Sequence, residues 1–230
     1  MPDNKVVLIT GAKGGLGNTV TQAFLDAGAT VIGVSRSISA SDFPHPAFVA
    51  MPAELSSGEA ARSLADAVVS RYRGIDVLVH LVGGFAGGKT VAETDDATLD
   101  RMWELNVKSA FHIVRAVVPH MRAQGAGRIL AIGSRAALEP GAGIGAYSAS
   151  KAALVSLVRT LALENRDLGI TANVVLPGTM DTAANRAADP QADFSKWVQP
   201  SQVAALLLHL ASEAASQVNG AVIPVYGRDV

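Results

Sequence analysis

Short runs of apolar residues alternate along the whole chain with longer segments in which apolar residues recur every three or four positions. The short runs are typical of strands buried on both faces, and the longer segments are typical of amphipathic helices. The runs predict seven strands, at residues 6–9, 30–34, 48–51, 77–81, 129–132, 171–176 and 222–225. The helical period is clearest at residues 16–27, 59–72, 99–122, 147–165 and 202–214.

This alternation predicts an α/β fold, a doubly wound (Rossmann-type) seven-stranded parallel sheet with helices on both faces. No Pro-, Gly- or Ser-rich linker divides the chain, so residues 1–230 are predicted to form one domain that binds a dinucleotide and carries the catalytic site. Residues 179–199 break the pattern, with Pro190, Phe194 and Trp197 in a polar stretch. Such a loop is either a lid or a disordered segment, and its place after a strand favours a substrate lid.

Composition narrows the range of functions. The chain is 49% hydrophobic with a net charge of −1, which favours a packed core and gives no basic field for nucleic acid. It has no cysteine, and its five histidines lack paired ligand spacing, so no metal site is predicted. No apolar run reaches the roughly 18 residues that span a bilayer. Since the start also lacks the form of a signal peptide, we expect a cytoplasmic protein without membrane contacts.

A glycine-rich loop with the pattern Thr-Gly-x-x-x-Gly-x-Gly occupies residues 10–17, between the first strand and the first helix. Glycines let the backbone turn tightly and bring its amides against a pyrophosphate at the positive end of the helix. In a chain with 22 glycines such a loop is otherwise a flexible turn. The strand before it and the helix after it favour a dinucleotide site. The predicted contacts in this loop are Thr10, Gly11, Lys13, Gly15, Leu16 and Gly17.

The end of the second strand indicates which nicotinamide cofactor binds. NAD sites place a carboxylate about 20 residues after the loop, to bind a ribose hydroxyl. Ser35 and Arg36 stand there instead. An arginine binds a 2′-phosphate with its planar fork, and Lys13 is expected to add a second positive charge. We therefore predict NADP(H), with NAD(H) as the alternative if Arg36 is only a solvated surface residue.

Tyr147 and Lys151 are four residues apart, so both lie on one face of the predicted helix. A nearby ammonium favours the phenolate, and we expect it to lower the pKa of Tyr147 from its usual value near 10. Ser134 is predicted to end the fifth strand, where its hydroxyl would hold a substrate oxygen. Asn106 is a polar residue in an otherwise amphipathic helix. Each residue alone has an ordinary structural explanation, but their order behind the glycine loop favours catalysis.

Together these motifs resemble the short-chain dehydrogenase/reductase family over essentially the whole chain. The resemblance implies hydride transfer between a nicotinamide and a small carbonyl or alcohol substrate. It implies Tyr147 as proton donor, Lys151 as the residue that tunes the phenol and binds ribose, Ser134 as substrate-orienting residue and Asn106 as relay. It also implies a homo-oligomer, tetramer or dimer, built on the helices at 99–122 and 147–165. The further cofactor contacts it implies are Glu54, Leu55, Val82, Gly83, Tyr147, Lys151, Pro177, Gly178 and Thr182.

The chain also departs from the family. The family's Asn-Asn-Ala-Gly stands here as His80, Leu81, Val82 and Gly83, and His80 is predicted to be a packed strand residue. The glycine-rich residues 83–88 and parts of the predicted lid are similar to dihydropteridine reductases, a branch that resembles NADH users without this serine. A pterin-type reductase is therefore one alternative. A second is a regulator that senses NADP(H) without turnover, although a sensor has no need for serine, tyrosine and lysine in register.

Overall fold

A computed structural model describes residues 4–228 of the chain. Seven parallel strands form one sheet in the order β3-β2-β1-β4-β5-β6-β7. They are β1 (Val6–Thr10), β2 (Thr30–Ser35), β3 (Phe48–Pro52), β4 (Val77–His80), β5 (Gly127–Ile132), β6 (Ile170–Pro177) and β7 (Val222–Val225). The predicted Rossmann-type parallel sheet is therefore confirmed, and each strand lies close to its predicted range.

Seven α-helices connect or follow these strands. They are α1 (Gly15–Asp26), α2 (Gly58–Tyr72), α3 (Asp96–Trp103), α4 (Ser109–Gln124), α5 (Gly145–Asn165), α6 (Ala183–Ala188) and α7 (Pro200–Leu210). The prediction that the last helix runs to residue 214 is wrong, because α7 ends at Leu210. The hydroxyl of Ser212 donates to the His209 carbonyl at 2.6 Å and thereby satisfies one of the last helical carbonyls.

The sheet is buried on both faces. Consecutive β1 residues point to opposite sides, so Leu8 joins the core under α2, α4 and α5, while Val7 and Ile9 join the core under α1 and α7. All three are fully buried. This double burial explains why the strands appear in the sequence as unbroken apolar runs.

The helix predicted at residues 99–122 is longer and interrupted. It starts after Asp95, whose carboxylate accepts the Thr98 amide hydrogen at 2.7 Å, and ends before Gly125 in the left-handed conformation. Between α3 and α4 the backbone makes a π-helical turn, Glu104–Lys108, centred on Asn106. Such turns insert one extra residue and often occur at functional sites.

The strand order reverses between β1 and β4, and a cleft lies there at the carboxyl edge of the sheet. Gly11 has a φ of +75°, and a Cβ there would stand 3.0 Å from the backbone of Leu81 and Val82. The loops after β1 and β4 therefore touch, and a cavity of about 760 Å³ opens beside them. No helix between residues 4 and 228 is both long and apolar enough to cross a membrane.

Candidate active site

The glycine loop forms a close backbone cradle at the start of α1. A Cβ on Gly17 would stand 2.1 Å from the Gly11 carbonyl oxygen, and a Cβ on Gly15 would stand 3.2 Å from the Thr182 side chain. The residue that precedes α1, Gly14, brings no side chain to the free amides of the first turn. These amides suit a pyrophosphate, so this cradle fits a dinucleotide.

Most of the predicted cofactor residues come together around this cradle. Thr10 and Leu16 are buried beneath it, and Pro177 ends β6, with Gly178 packed against the Tyr226 backbone. Eight of the predicted residues line the 760 Å³ cavity itself: Gly11, Lys13, Ser35, Arg36, Glu54, Leu55, Val82 and Gly83. An elongated ligand that reaches from α1 to β3 would contact them all.

The two cations predicted at the 2′-phosphate position differ. Arg36 is exposed and makes no hydrogen bond or ion pair with any residue between 4 and 228. The Lys13 ammonium already lies 2.8 Å from Asp42 Oδ1 and donates to the Ser37 carbonyl at 3.1 Å. In this structure Lys13 is therefore paired with Asp42, and its contact with a 2′-phosphate stays a prediction. Sequence reasoning missed Asp42, whose only signal was a Ser-x-x-Asp capping pattern.

The structure brings Ser134, Tyr147 and Lys151 together at the carboxyl edge. Tyr147 lies in the first turn of α5 and is partly buried, while Lys151 is 5% exposed and donates to the Ile132 carbonyl at 3.0 Å. Ser134 lies just beyond the end of β5 at Ile132, rather than within the strand. Its hydroxyl accepts from the Ala136 amide at 3.2 Å and also hydrogen-bonds to the Tyr147 side chain.

The electrostatics of this group differ from the prediction. Burial raises the pKa of Tyr147, and the hydrogen bond with Ser134 lowers it only in part, so the predicted fall is wrong. The rise that burial causes in the pKa of Tyr147 is larger than the fall expected from Lys151, because the Lys151 ammonium is directed to the Ile132 carbonyl. Burial also lowers the pKa of Lys151 from its usual value near 10.5 to about 8. Tyr147 is thus a protonated phenol at neutral pH.

Asn106 uses its side chain to fix the loop after β4. Its Oδ1 accepts the Gly84 amide hydrogen at 2.9 Å, and its Nδ2 donates to the Gly84 carbonyl and to Ser150 Oγ, both at 3.0 Å. A Cβ on Gly83 would stand 2.8 Å from Asn106 Oδ1 and 3.1 Å from Lys151 Nζ. In this structure Asn106 therefore positions Gly83 and Gly84 beside Lys151, and its role as a relay stays a prediction.

His80 is closed into a separate buried network. Its Nδ1 lies 2.8 Å from Thr10 Oγ1, and its Nε2 lies 3.3 Å from Ser109 Oγ. Because Ser109 gives its hydroxyl proton to the Leu105 carbonyl at 2.7 Å, Nε2 carries the imidazole proton and Nδ1 accepts from Thr10. Burial, aided by the charge of Lys151, lowers the pKa of His80 to about 3. His80 is therefore a neutral packing residue, as the sequence indicates.

The loop after β4 places an aromatic ring beside Tyr147. The Phe85 ring is 64% exposed and packs edge-on against the Tyr147 ring, with their centroids 5.0 Å apart. The Gly88 amide donates to the Gly143 carbonyl at 2.9 Å, which joins this loop to the one before α5. Sequence reasoning missed Phe85 as a site residue, although a single aromatic among four glycines was a usable signal.

The predicted lid at residues 179–199 is partly ordered rather than a structureless loop. It contains α6 and a 3-10 turn, Phe194–Lys196, and Met180 pairs with Val198. Trp197 is buried, lies 4.8 Å from the Phe194 ring between centroids, and lines a cavity of about 350 Å³ with Thr179. The Trp197 side chain thus forms part of the wall of this cavity, and closure of this segment over a substrate stays a prediction.

Comparisons with known proteins agree with this architecture. A sequence model of the family described as short chain dehydrogenase matches residues 5–193. The chain is 33% identical to a 7alpha-hydroxysteroid dehydrogenase of Escherichia coli (strain K12), covering 99% of this chain and 95% of that one. It is 32% identical to a rhamnolipids biosynthesis 3-oxoacyl-[acyl-carrier-protein] reductase of Pseudomonas aeruginosa, covering 97% and 95%.

A solved structure, titled "Crystal structure of gox2181", superimposes with a TM-score of 0.89 at 27% identity and covers 97% of this chain and 95% of that one. Members of the matched family are oxidoreductases that use nicotinamide cofactors and act on small molecules. The family match covers most of the chain, and the relatives are matched over nearly their whole length. This chain therefore belongs to the short-chain dehydrogenase/reductase family.

Proposed function

We propose that the protein is an NADPH-preferring reductase of small carbonyl compounds in which Tyr147 donates the proton. The observation that carries this proposal is the meeting of Ser134, Tyr147 and Lys151 beside a cavity that suits a dinucleotide. Tyr147 carries its phenolic proton at neutral pH, as a proton donor in the direction of reduction must.

Each side chain has a defined task in this reaction. When bound, NADPH supplies a hydride to the carbonyl carbon. The hydroxyls of Ser134 and Tyr147 hold the carbonyl oxygen, and the Tyr147 proton passes to it as negative charge develops. Lys151 keeps two N–H donors beyond the one bound to Ile132, and these would bind ribose hydroxyls and favour the phenolate left behind.

A broad panel of substrates tests this proposal, because the names of the relatives contain a hydroxysteroid, a 3-oxoacyl-[acyl-carrier-protein] and 2-dehydro-3-deoxy-D-gluconate. NADPH oxidation is followed with ketones, quinones, β-ketoacyl thioesters and a quinonoid pterin. Turnover of at least one carbonyl is expected in the wild type. Binding of NADPH without turnover of any of them would favour the regulator that senses NADP(H).

The cofactor preference rests on Arg36, which is free to bind a 2′-phosphate. A bidentate charge-assisted contact contributes about 1.5–3 kcal/mol, so Arg36→Ala is expected to weaken NADPH binding roughly tenfold to a hundredfold. NADH binding is expected to change little, and Ser35→Asp should shift the preference further toward NADH. Titration with both reduced cofactors measures this, and equal wild-type affinities would contradict the preference.

One observation favours the pterin-type alternative. The exposed Phe85 ring beside Tyr147 offers a flat apolar surface next to the proposed proton donor, which suits a planar heterocycle. Preferential turnover of the quinonoid pterin in the same panel would select this function over reduction of simple ketones.

We also propose that the protein forms a homo-oligomer, a tetramer or a dimer. The helices predicted to pair carry several large apolar side chains that are exposed in the single chain, namely Leu99, Trp103, Phe111 and Leu163. Apolar surface of this kind on long helices usually marks a contact between proteins. Light scattering is expected to give a mass of two or four chains, and a monomer at micromolar concentration would contradict the proposal.

A further inference from the structure

Lys13 lies where two negative partners can compete for it. Its side chain lines the cavity that also contains Ser35 and Arg36, and its ammonium lies 2.8 Å from Asp42 Oδ1. The Lys13 side chain is 42% exposed and that of Asp42 is 21% exposed. Because the pair is in contact with water, the ammonium can exchange a carboxylate for a phosphate without being desolvated alone.

The Asp42 carboxylate is fixed independently of Lys13. Its Oδ2 accepts from the Ser39 amide at 2.8 Å and from the Ser39 hydroxyl at 3.1 Å, in a capping box at the 3-10 turn Ala40–Asp42. The contacts with Lys13 and Ser39 keep the pKa of Asp42 below its usual value, so the group is charged at neutral pH. If Lys13 leaves, Asp42 keeps both contacts with Ser39 and only Oδ1 returns to water.

We infer that Asp42 limits the selection of NADP(H) over NAD(H), because it holds Lys13 until a 2′-phosphate replaces it. The inference rests on the proposed function, in which this end of the cavity binds the adenosine of NADP(H). Arg36 then makes the first contact with the phosphate, and the contribution of Lys13 is reduced by the ion pair that it must leave. Asp42 is thus a specificity-determining residue that does not itself touch the ligand.

The experiment measures binding of two fragments, 2′,5′-ADP and 5′-AMP, which differ only in the 2′-phosphate. Calorimetry at low salt compares the wild type, Asp42→Asn, Lys13→Met and the double variant. Loss of an exposed ion pair corresponds to about a twofold to fivefold change, so Asp42→Asn is expected to bind 2′,5′-ADP tighter by that factor. Binding of 5′-AMP should stay unchanged, and the gain should disappear in the Lys13→Met background.

Two results would overturn the inference. One is unchanged 2′,5′-ADP affinity in Asp42→Asn and also in a second variant, Asp42→Ser. The other is an equal gain in the Lys13→Met background, which would mean simple repulsion between Asp42 and the phosphate. Asp167→Asn is the matched control, since it removes the same charge from an exposed pair with Arg166 at the opposite edge of the sheet.

The same titrations test the proposed cofactor separately. Wild-type protein that binds 2′,5′-ADP no tighter than 5′-AMP would contradict the preference for NADP(H). The comparison of Asp42→Asn with and without Lys13 still decides the role of Asp42, because it uses the change in affinity rather than the wild-type value. Failure of the inference and failure of the proposed function therefore give different results.

Discussion

Two buried basic side chains lie at the carboxyl edge of the sheet, and the protein holds them in different ways. His80 ends β4 and is enclosed between Thr10 and Ser109, whereas Lys151 on α5 reaches the Ile132 carbonyl beside Gly83. Burial lowers the pKa of both, to about 3 for His80 and to about 8 for Lys151. Burial alone therefore does not distinguish a packing residue from a candidate catalytic one.

The difference lies in the hydrogen-bonding capacity that each side chain has left. Both ring nitrogens of His80 are occupied, so it has nothing to offer a ligand. Lys151 has three N–H donors, and in the described part of the chain only Ile132 accepts one of them. Two donors remain, beside the backbone of Gly83. The free donors near a cavity, more than a shifted pKa, are the reason that we propose a functional role for Lys151 and none for His80.

The largest effect is expected from Tyr147→Phe, which removes the proposed proton donor beside Ser134 and Lys151. We expect kcat to fall by a factor on the order of 10² or more, with the fold and NADPH binding retained. Steady-state kinetics and cofactor titration measure the two quantities. Tyr72→Phe on α2, away from the carboxyl edge, is the matched control and should turn over like the wild type. Near-normal turnover in Tyr147→Phe would refute the proposed mechanism.

Because His80 is enclosed in its neutral form, we expect the free energy of unfolding to fall in acid. Its pKa in the folded state is below the unfolded value near 6.5, so the stability it contributes is present above pH 6.5 and is lost as the pH falls toward 3. The free energy of unfolding should fall by about 2 kcal/mol between pH 6.5 and pH 5. Urea unfolding measures this loss, which should be absent in His80→Gln.

The control for this prediction is His209→Gln, on an exposed histidine of α7. The free energy of unfolding of this variant should depend on pH as it does in the wild type. If His80→Gln loses as much stability in acid as the wild type, then His80 is not held neutral and its enclosure is not the cause.

The fold was predictable because burial leaves a pattern in the sequence. Strands covered on both faces, such as β1 and β4, must be apolar throughout, and their carboxyl ends meet at one edge. This geometry also predicts that a residue after β5, Ser134, meets the first turns of α5. The spacing of Tyr147 and Lys151 then requires only a regular helix.

Other parts of the site depend on loop geometry, which leaves no period in the sequence. The pairing of Lys13 with Asp42 and the packing of Phe85 on Tyr147 both join separate loops. The π-helical turn at Asn106 inserts one residue without disturbing the apolar pattern around it. The raised pKa of Tyr147 was predicted with the wrong sign, because the degree of burial is a property of the folded protein.

A smaller effect is expected from the titration of Lys151. Its pKa of about 8 means that the ammonium is present below pH 8 and is lost above it. The kcat/KM for carbonyl reduction reports groups of the free enzyme, so it should fall by roughly tenfold between pH 8 and pH 9.5. Lys151→Met should be slower at every pH and lack this transition. A wild-type profile that is flat through pH 9.5 would contradict the assignment.

The smallest effect is expected from Phe85→Ala, which tests whether the substrate contacts the exposed Phe85 ring beside Tyr147. Phe85 is mostly exposed, so its removal creates no cavity and should leave the free energy of unfolding nearly unchanged. An edge-on aromatic contact contributes about 0.5–1.5 kcal/mol, and KM for an aromatic ketone should rise about threefold with kcat little changed. Leu168→Ala, another exposed apolar residue, is the control and should leave KM unchanged. Phe85→Ala could instead leave KM at the wild-type value for both aromatic and aliphatic substrates. The ring would then only shield Tyr147 from water, and the substrate would approach from the side of the 350 Å³ cavity near Trp197.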